Sequence, residues 1–501
     1  MSMKKIFLIT AVATLLTACS SEELQNTDAV LQNGAEIPVA FSIYTQRSVT
    51  RAGLPGEQTT ATIATNDDNH GFGVFGYYTN GETYSSANTF PNFMYNQQVK
   101  GDGATTPTWT YEPVKYWPNE YGDAATADDV DRVSFFAYAP WTKVTPSTGL
   151  PLADQTKNIT LMTKNNAIGD PYVKYVVDPD PATSVDLLWG VAAVDYSTTW
   201  GTGAAATVTA GEPFIDLTKP NDPLAATATG DNKVRFNLRH ALSKLNVTID
   251  YIDDAATPAG PAVGNIESAP VTTKIFIREI KIGGFTMKGA LNLNNKGLGN
   301  YAAGTPAAGT PMPNWKAYDG VSDIANEDED VRFKDGRKDG REGVTGNEAG
   351  NEKYLGLNPV LIQSVPYSTT LHTDGTTTVF NDVNVGVTNT KVNLFNSATA
   401  TDPIYVIPRD QNIDVEIIYD VETVNPKLSD FLSDGVTHGL SIENKIRKSS
   451  ADIFGSAKKM QAGIAYTLNI HLGMTSVKVS ASVQGWDDTT SAGNAILPEN
   501  Q

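Results

Sequence analysis

The sequence predicts an all-β protein built from two tandem β-sandwich domains with long loops. Short segments in which apolar residues alternate with polar ones recur along the chain, and segments rich in Thr, Asn, Gly and Pro separate them. No long segment carries a sustained apolar stripe at the period of an α-helix. The 501 residues leave room for more than one hydrophobic core, which favours two domains.

The N-terminal residues have the order of a secretory signal. Two lysines precede an apolar run over residues 6–18, which is too short to span a hydrocarbon core of ~30 Å as a helix. We therefore predict a signal peptide over residues 1–18. Cys19, the only cysteine, follows directly, and Leu-Thr-Ala-Cys resembles the lipobox of bacterial lipoproteins. This resemblance implies that Cys19 is diacylated and that residues 19–35 are a lipidated tether. The alternative is an ordinary signal peptide that happens to contain a cysteine.

Residues 36–44 are predicted to form the first strand. Four apolar residues occupy alternate positions with small or polar residues between them, so one face of the strand is apolar. These four residues are Ile37, Val39, Phe41 and Ile43. Pro38 has no backbone N–H to donate, which favours an edge position or the beginning of a strand. A polar loop over residues 46–62 follows and contains Arg47 and Arg51.

The other strands of the first half are predicted from apolar clusters between turn-rich segments. They cover residues 71–79, 108–116, 133–138 and 185–192. We expect most aromatic side chains of this part to fill the core of the first sandwich. They are Trp109, Tyr111, Tyr116, Trp117, Phe135, Phe136, Tyr138 and Trp141. The stretch over residues 204–231 has no apolar period, which predicts a boundary between an N-terminal domain (36–229) and a C-terminal domain (230–501).

Alternation is more regular in the second half. The apolar faces over residues 234–238 and 245–249 are out of phase, which predicts a bulge or a break over residues 241–244. Three pairs of strands are predicted next. They join residues 274–285 to 287–293, 404–407 to 413–421, and 466–472 to 476–485. The long polar region over residues 297–377 is predicted to be an insertion in the C-terminal domain, either a loop arm or a small subdomain.

Composition and motifs argue against several functional classes. The chain has 37 basic and 56 acidic residues, and its formal charge of -19 does not favour nucleic acid. The histidines lack metal-ligand spacing, and His240 is expected to be a partly buried structural residue at a strand break. Oxygen-rich segments at residues 66–71 and 323–330 lack the spacing of a calcium loop, and carboxylates for glycoside hydrolysis have no positive support. No catalytic residue, metal site or cofactor is therefore predicted.

Several segments resemble the fimbrillin-like lipoprotein family of Bacteroides-type bacteria. RFNLRHALSKL over residues 235–245 resembles the family's F-x-x-x-H-A-L-S-K-L segment. SFFAYAP over residues 134–140, preceded by KYWP, resembles its first-domain signature. Further similarities occur at VTRA over residues 49–52, at VIP over residues 406–408, and at GIAY and VQGW near the C-terminus. Together they span nearly the whole chain after the signal, apart from the insertion over residues 297–377.

The resemblance implies two transthyretin-like β-sandwiches and a structural or tip subunit of a pilus (fimbrium) that mediates adhesion. Subunits of this family are exported as lipoproteins to the outer membrane and displayed on the cell surface. An arginine-specific protease then removes the first strand, and a strand from another subunit fills the groove. Arg51 is the expected cut point because Ala52 and Gly53 follow it in a polar loop, and Arg47 is the second candidate. The exchangeable strand would carry Ile37, Val39, Phe41 and Ile43.

The implied partners are other fimbrial subunits, an arginine-specific protease, the outer membrane through the lipid, and a host or bacterial surface ligand. The alternative function is a surface lipoprotein that binds glycan or host protein without polymerising. An enzyme on a β-sandwich scaffold is a third, weaker hypothesis. The sequence does not separate stalk, tip and anchor subunits.

The lipobox resemblance predicts that the lipid is attached at Cys19. Replacing the thiol in Cys19→Ala removes the acceptor atom, so the variant should incorporate no fatty acid. Labelling cells with a radioactive fatty acid checks this. Equal label on the variant and on the unchanged protein would exclude Cys19 as the attachment site.

Overall fold

The computed structural model describes a large part of the chain. The described residues are 37–45, 58–65, 70–118, 131–153, 158–178, 184–192, 199–200, 206–208, 211–219, 233–251, 272–283, 286–296, 313–316, 318, 332–334, 352–354, 360–364, 392–393, 396–397, 400–401, 404–408, 414–424, 460–472 and 477–485. In this part the secondary structure is almost entirely β, and the helix α1 (Thr60–Ile63) has only four residues. The predicted all-β class is confirmed, whereas the count of two tandem domains stays a prediction.

A seven-stranded sheet contains most strands of the first half. Its strands are β1 (Ala40–Thr45), β2 (Phe72–Tyr78), β3 (Met94–Val99), β4 (Val133–Ala139), β7 (Leu188–Ala192), β10 (Phe214–Leu217) and β11 (Lys233–His240). Six of them follow the order β1-β11-β7-β4-β2-β3, and β10 pairs with β4. The strand β1 therefore lies at one edge of the sheet.

A four-stranded sheet combines segments from both halves of the chain. Its strands are β5 (Ile159–Met162), β6 (Tyr172–Val176), β14 (Lys288–Asn292) and β15 (Asn314–Lys316). They follow the order β15-β14-β6-β5, so β14 pairs with β6 across a long separation in sequence.

The remaining strands form two five-stranded sheets and two short ribbons. The first sheet has β12 (Ser243–Tyr251), β19 (Val392–Asn393), β22 (Ile404–Val406), β24 (Ile464–Leu472) and β25 (Val477–Gly485). The second has β13 (Thr272–Gly283), β16 (Arg332–Lys334), β17 (Glu352–Tyr354), β18 (Val360–Ser364) and β23 (Asp414–Val424). The ribbons pair β8 (Thr199–Trp200) with β9 (Ala206–Thr207), and β20 (Asn396–Ser397) with β21 (Ala400–Thr401).

The two faces of the seven-stranded sheet are both covered by apolar side chains. Neighbouring residues on a strand point to opposite faces, and Phe135 belongs to one core cluster whereas Phe136 belongs to the other. All residues of β4 are consequently buried, which explains why its sequence is apolar at every position except Ser134 rather than alternating. The cluster of Phe136 also contains Tyr175 of β6 and Leu291 of β14, so the seven-stranded and four-stranded sheets pack face to face.

The chain changes sheet immediately after β11. This strand ends at His240, and β12 begins at Ser243 in a different sheet, so the predicted break near residues 241–244 is confirmed. The division into domains at residues 229 and 230 stays a prediction. The strand β11, which follows the predicted boundary, pairs with β1 and β7 of the first half.

Two of the predicted strand pairs are wrong. The strand β13 pairs with β16, β18 and β23, whereas β14 pairs with β6 and β15, so the two do not form a hairpin. The strand β22 pairs with β12, whereas β23 pairs with β13. An apolar period identifies the face of a strand but not its neighbour, which explains both errors. The third pair is confirmed, because β24 and β25 are antiparallel neighbours along their whole length.

The predicted strand over residues 108–116 is also wrong. Within it, Thr110 and Tyr116 form isolated bridges to Lys100 and Pro38, and no continuous ladder is present. Pro113 interrupts the segment and has no N–H to donate to a neighbouring strand. Six of the eight aromatic residues that were predicted to fill the core are nevertheless buried. The exceptions are Tyr116, which is 47% exposed, and Trp109, which is partly buried.

Candidate functional site: the first strand and its groove

The strand β1 is held along one side by a distant segment of the chain. It pairs in parallel with β11, from Ala40 opposite Lys233 to Thr45 opposite Leu238. Parallel neighbours require a long connection, and here the rest of the first half lies between the two strands. The strand is therefore attached to the sheet by a ladder that does not depend on its own neighbours in sequence.

The residues just before β1 make a second, shorter ladder. The N–H of Val39 donates to the carbonyl of Lys115 at 2.8 Å, and the N–H of Trp117 donates to the carbonyl of Ile37 at 2.9 Å. Pro38 lies between these two bonds, opposite Tyr116, where the ladder requires no N–H from it. Proline is thus tolerated at this point, and the edge position that its presence favours is the one observed.

One face of the segment is buried and the other is not. The four apolar residues at alternate positions are each at most 6% exposed, whereas Tyr44 on the opposite face is 51% exposed. These buried residues are Ile37, Val39, Phe41 and Ile43. Full burial of such side chains contributes about 1.5–3 kcal/mol each, or about 6–12 kcal/mol for the four. The strand is therefore strongly bound by its apolar face, although it lies at an edge.

Phe41 lies at the centre of an aromatic cluster. Its ring centroid is 5.4 Å from that of Phe135, 5.5 Å from that of Tyr111 and 6.0 Å from that of Phe236. The contact with Phe135 is edge-to-face, which is a favoured arrangement of aromatic rings. Three separate segments of the chain therefore form a pocket for this one side chain.

Tyr111 contributes a polar contact as well as its ring. Its hydroxyl donates to the carbonyl of Val39 at 2.7 Å and accepts from the N–H of Lys115 at 3.3 Å. Burial raises the pKa of the Tyr111 phenol to about 12. The hydroxyl is therefore neutral, and able to donate to the strand, throughout the ordinary pH range.

Two threonines fasten the end of β1 to the beginning of α1. The N–H of Thr45 donates to the Oγ1 of Thr60 at 3.2 Å, the N–H of Thr60 donates to the Oγ1 of Thr45 at 2.9 Å, and the two hydroxyls are 2.8 Å apart. Thr59 caps the helix by accepting from the N–H of Thr62. The reciprocal Thr45–Thr60 contact holds together the two ends of the segment over residues 46–59.

Three predicted site residues, Cys19, Arg47 and Arg51, lie outside the described residues. The rings of Tyr111, Phe135 and Phe236 line the groove that holds the apolar face of β1. Tyr111 and Phe135 were expected in the core, but their position against Phe41 was not predicted. Phe236 was predicted only as part of an alternating strand. Nothing in a single sequence states that residues 41, 111, 135 and 236 meet, because all three contacts of Phe41 join segments that are distant in sequence.

His240 lies at the predicted strand break and is more deeply buried than the sequence predicts. Its Nδ1 lies 2.6 Å from an Oδ atom of Asp186, and the two side chains are 4% and 0% exposed. Among the described residues, no three His, Cys, Asp or Glu side chains are grouped so as to hold a metal ion. No helix in the described part of the chain is long and apolar enough to span a membrane.

Comparisons with known proteins point to fimbrial subunits. No protein-family model matches the chain. The fimbrium subunit Fim1C of Phocaeicola vulgatus is 31% identical over 179 residues, which cover 35% of this chain and 39% of that relative. The chain thus matches about two fifths of the curated relative's length. The predicted resemblance to fimbrial proteins of Bacteroides-type bacteria is confirmed by this relative.

The chain is also similar to a solved structure, a fimbrial protein from Bacteroides vulgatus. The two are 18% identical, with a TM-score of 0.47, and the similarity covers 90% of this chain and 100% of that one.

The Tyr111 hydroxyl should contribute measurably to the attachment of β1. Tyr111→Phe keeps the ring against Phe41 but removes the bond to Val39, so the free energy of unfolding should fall by about 1 kcal/mol. Denaturant titration at neutral pH measures this change. Tyr116→Phe, at a site 47% exposed, is the matched control and should change the stability by less than about 0.5 kcal/mol.

The stability of Tyr111→Phe should depend less on high pH than the stability of the unchanged protein. Because the folded-state pKa is raised from 10.0 to about 12, the contribution of Tyr111 is fully present below pH 10 and is lost as pH rises through 12. The stability difference between the unchanged protein and Tyr111→Phe should therefore shrink over this window. A difference that stays constant would show that Tyr111 does not favour its neutral form in the folded protein.

Proposed function

We propose that the protein is a non-enzymatic subunit of a cell-surface fimbrium whose first strand is removed to admit a strand from another subunit. The observation that carries the proposal is the attachment of β1: an edge strand, bound by a buried apolar face, followed by an arginine-bearing segment. The similarity to a fimbrium subunit supports the same conclusion.

A cut after Arg51, or after Arg47, would separate β1 from α1 and leave the strand bound only by non-covalent contacts. Its departure would expose an apolar groove and the unpaired backbone groups of β11. Such a groove accepts an extended segment by strand addition, in which backbone bonds give affinity and alternate side chains enter pockets. Removal of the resident strand by proteolysis gives the exchange its direction.

The same proposal assigns the N-terminal segments. The signal over residues 1–18 directs export, Cys19 carries the lipid, and residues 19–35 connect the lipid to β1. The protein is thereby displayed on the outer membrane until the protease releases it into the fimbrium. Its partners are other fimbrial subunits and the arginine-specific protease, and the assembled fimbrium adheres to a host or bacterial surface ligand.

Treatment of the purified full-length protein with an arginine-specific protease tests this function. We expect one cut after Arg51, followed by the formation of multimers. Arg51→Lys keeps the positive charge but removes the recognised side chain, so this variant should stay intact and monomeric. Arg47→Lys is the matched control and should be cut and should multimerise like the unchanged protein. Mass spectrometry identifies the cut, and light scattering measures the multimers.

If Arg47→Lys stays intact while Arg51→Lys is cut, the natural cut lies after Arg47. A chain that is cut once but stays monomeric, or that is cut at many sites, contradicts the proposal. Either result would favour a surface lipoprotein that binds its ligand without polymerising.

A further inference from the structure

We propose that the groove beneath β1 selects an incoming strand by two features: an aromatic side chain at the position of Phe41, and a direction parallel to β11. This inference rests on the proposed function, since it concerns the strand that replaces β1. It defines the partner as an extended apolar segment with an aromatic residue at one fixed position, rather than any apolar strand.

Two of the three rings that surround Phe41 have supports outside β1. Phe135 also packs edge-to-face against Trp117, with centroids 5.6 Å apart. Phe236 packs against Phe214 at 5.5 Å and against Phe72 at 6.2 Å. None of these supporting rings belongs to β1, so Phe135 and Phe236 keep these ring contacts when the strand leaves. Tyr111 keeps its bond from Lys115 and loses the one to Val39.

The pocket is suited to a ring and not to a smaller side chain. Phe41 is 3% exposed and contacts rings on three sides. A Leu or Ala side chain at this position would leave part of that volume empty, and cavities in close-packed interiors are costly. The other three buried positions of the segment are occupied by the aliphatic residues Ile37, Val39 and Ile43.

The direction of the strand is specified by two ladders of opposite sense. The segment is parallel to β11 over residues 40–45 and antiparallel to residues 115–117 over residues 37–39. A segment entering in the reverse direction would invert both relations at once. It would also place the wrong end beside Thr60, which bonds the backbone and the hydroxyl of Thr45. Only a strand that runs as β1 runs reproduces all of these contacts.

The test uses the full-length chain with a recognition sequence for an unrelated site-specific protease placed within residues 46–57. Cutting there separates β1 from α1 whether or not Arg51 is a natural cut point. Synthetic peptides with the sequence of residues 36–45 are then added, and displacement of the resident strand is followed by a fluorescent label and size-exclusion chromatography. The peptide series carries Phe41→Leu, Phe41→Ala or Tyr44→Ala, or the same residues in reverse order.

We expect the unchanged peptide and Tyr44→Ala to displace β1 with similar affinity, because Tyr44 is 51% exposed. Phe41→Ala should bind about 100-fold more weakly, and Phe41→Leu should lie between them. The peptide of reversed order should bind at least about 100-fold more weakly, although its composition is identical. Equal binding by Phe41→Ala, or by the reversed peptide, would overturn the inference.

A second measurement needs no added peptide. In the cut full-length chain, the resident strand carrying Phe41→Ala should dissociate about 100-fold faster than the unchanged strand, and Tyr44→Ala should not alter the rate. Equal rates for all three would also overturn the inference. Selective peptide binding without multimers after arginine-specific cleavage would count against the proposed function and leave the selectivity intact. Formation of multimers after arginine-specific cleavage, together with equal binding of all the peptides, would support the proposed function and overturn the selectivity.

Discussion

The apolar face of β1 packs against rings that come from three distant segments, and this packing connects the beginning of the fold to its middle. Phe41 meets Tyr111, Phe135 and Phe236, while the backbone of the same strand pairs with β11. The strand β1 can therefore join the edge of the sheet only after β11 has formed its own part of the sheet. Contacts of such long sequence separation are slow to form, since the entropy of closing the chain must be lost before they stabilise the sheet.

In the proposed function, the same strand is strongly bound in the intact chain and becomes separable after cleavage. The four buried side chains of residues 37–43, two of them just before β1, contribute about 6–12 kcal/mol, which is comparable to the whole stability of a typical domain. A groove emptied of that strand would expose apolar side chains and unpaired backbone, a surface that aggregates. Departure of the strand and arrival of a replacement are for this reason expected to be closely coupled. In the proposed exchange, the rings of Phe135 and Phe236, which pack against Trp117 and Phe214, would receive the replacement strand.

The strands that the sequence predicts best are those with one buried face. The alternation from Ile37 to Ile43 follows a burial period of two, which a single sequence displays directly. The antiparallel pairing of β24 with β25 was predicted from the same alternation in their sequences. The strand β3 was missed because its centre is polar. Asn96, in the centre of β3, has a positive φ of 43° and is buried. Its side-chain amide is satisfied there because it accepts from the hydroxyl of Tyr138 and donates to the carbonyl of Thr142.

Partners of strands were less predictable than strands. The hairpin expected between β13 and β14 does not exist, because β14 completes the sheet of β6 instead. The groove shows the same limit: its aromatic residues were expected in the core, but the meeting of Tyr111, Phe135 and Phe236 around Phe41 arises from topology. Local pattern determines which residues are buried, whereas long-range pairing determines what they are buried against.

The proposed function requires that β1 is a separable strand whose buried face contacts only its own groove. Phe41→Asp tests it most directly, because an unpaired carboxylate at a site 3% exposed is costly in the intact protein. The free energy of unfolding of the uncut variant should fall by at least about 3 kcal/mol relative to the unchanged protein. After cleavage alone, the strand carrying Phe41→Asp should dissociate faster than the unchanged strand, and the rest of the chain should stay folded in both proteins. A substituted strand that stays bound as firmly as the unchanged one, or a chain that unfolds when its strand leaves, would contradict this proposal.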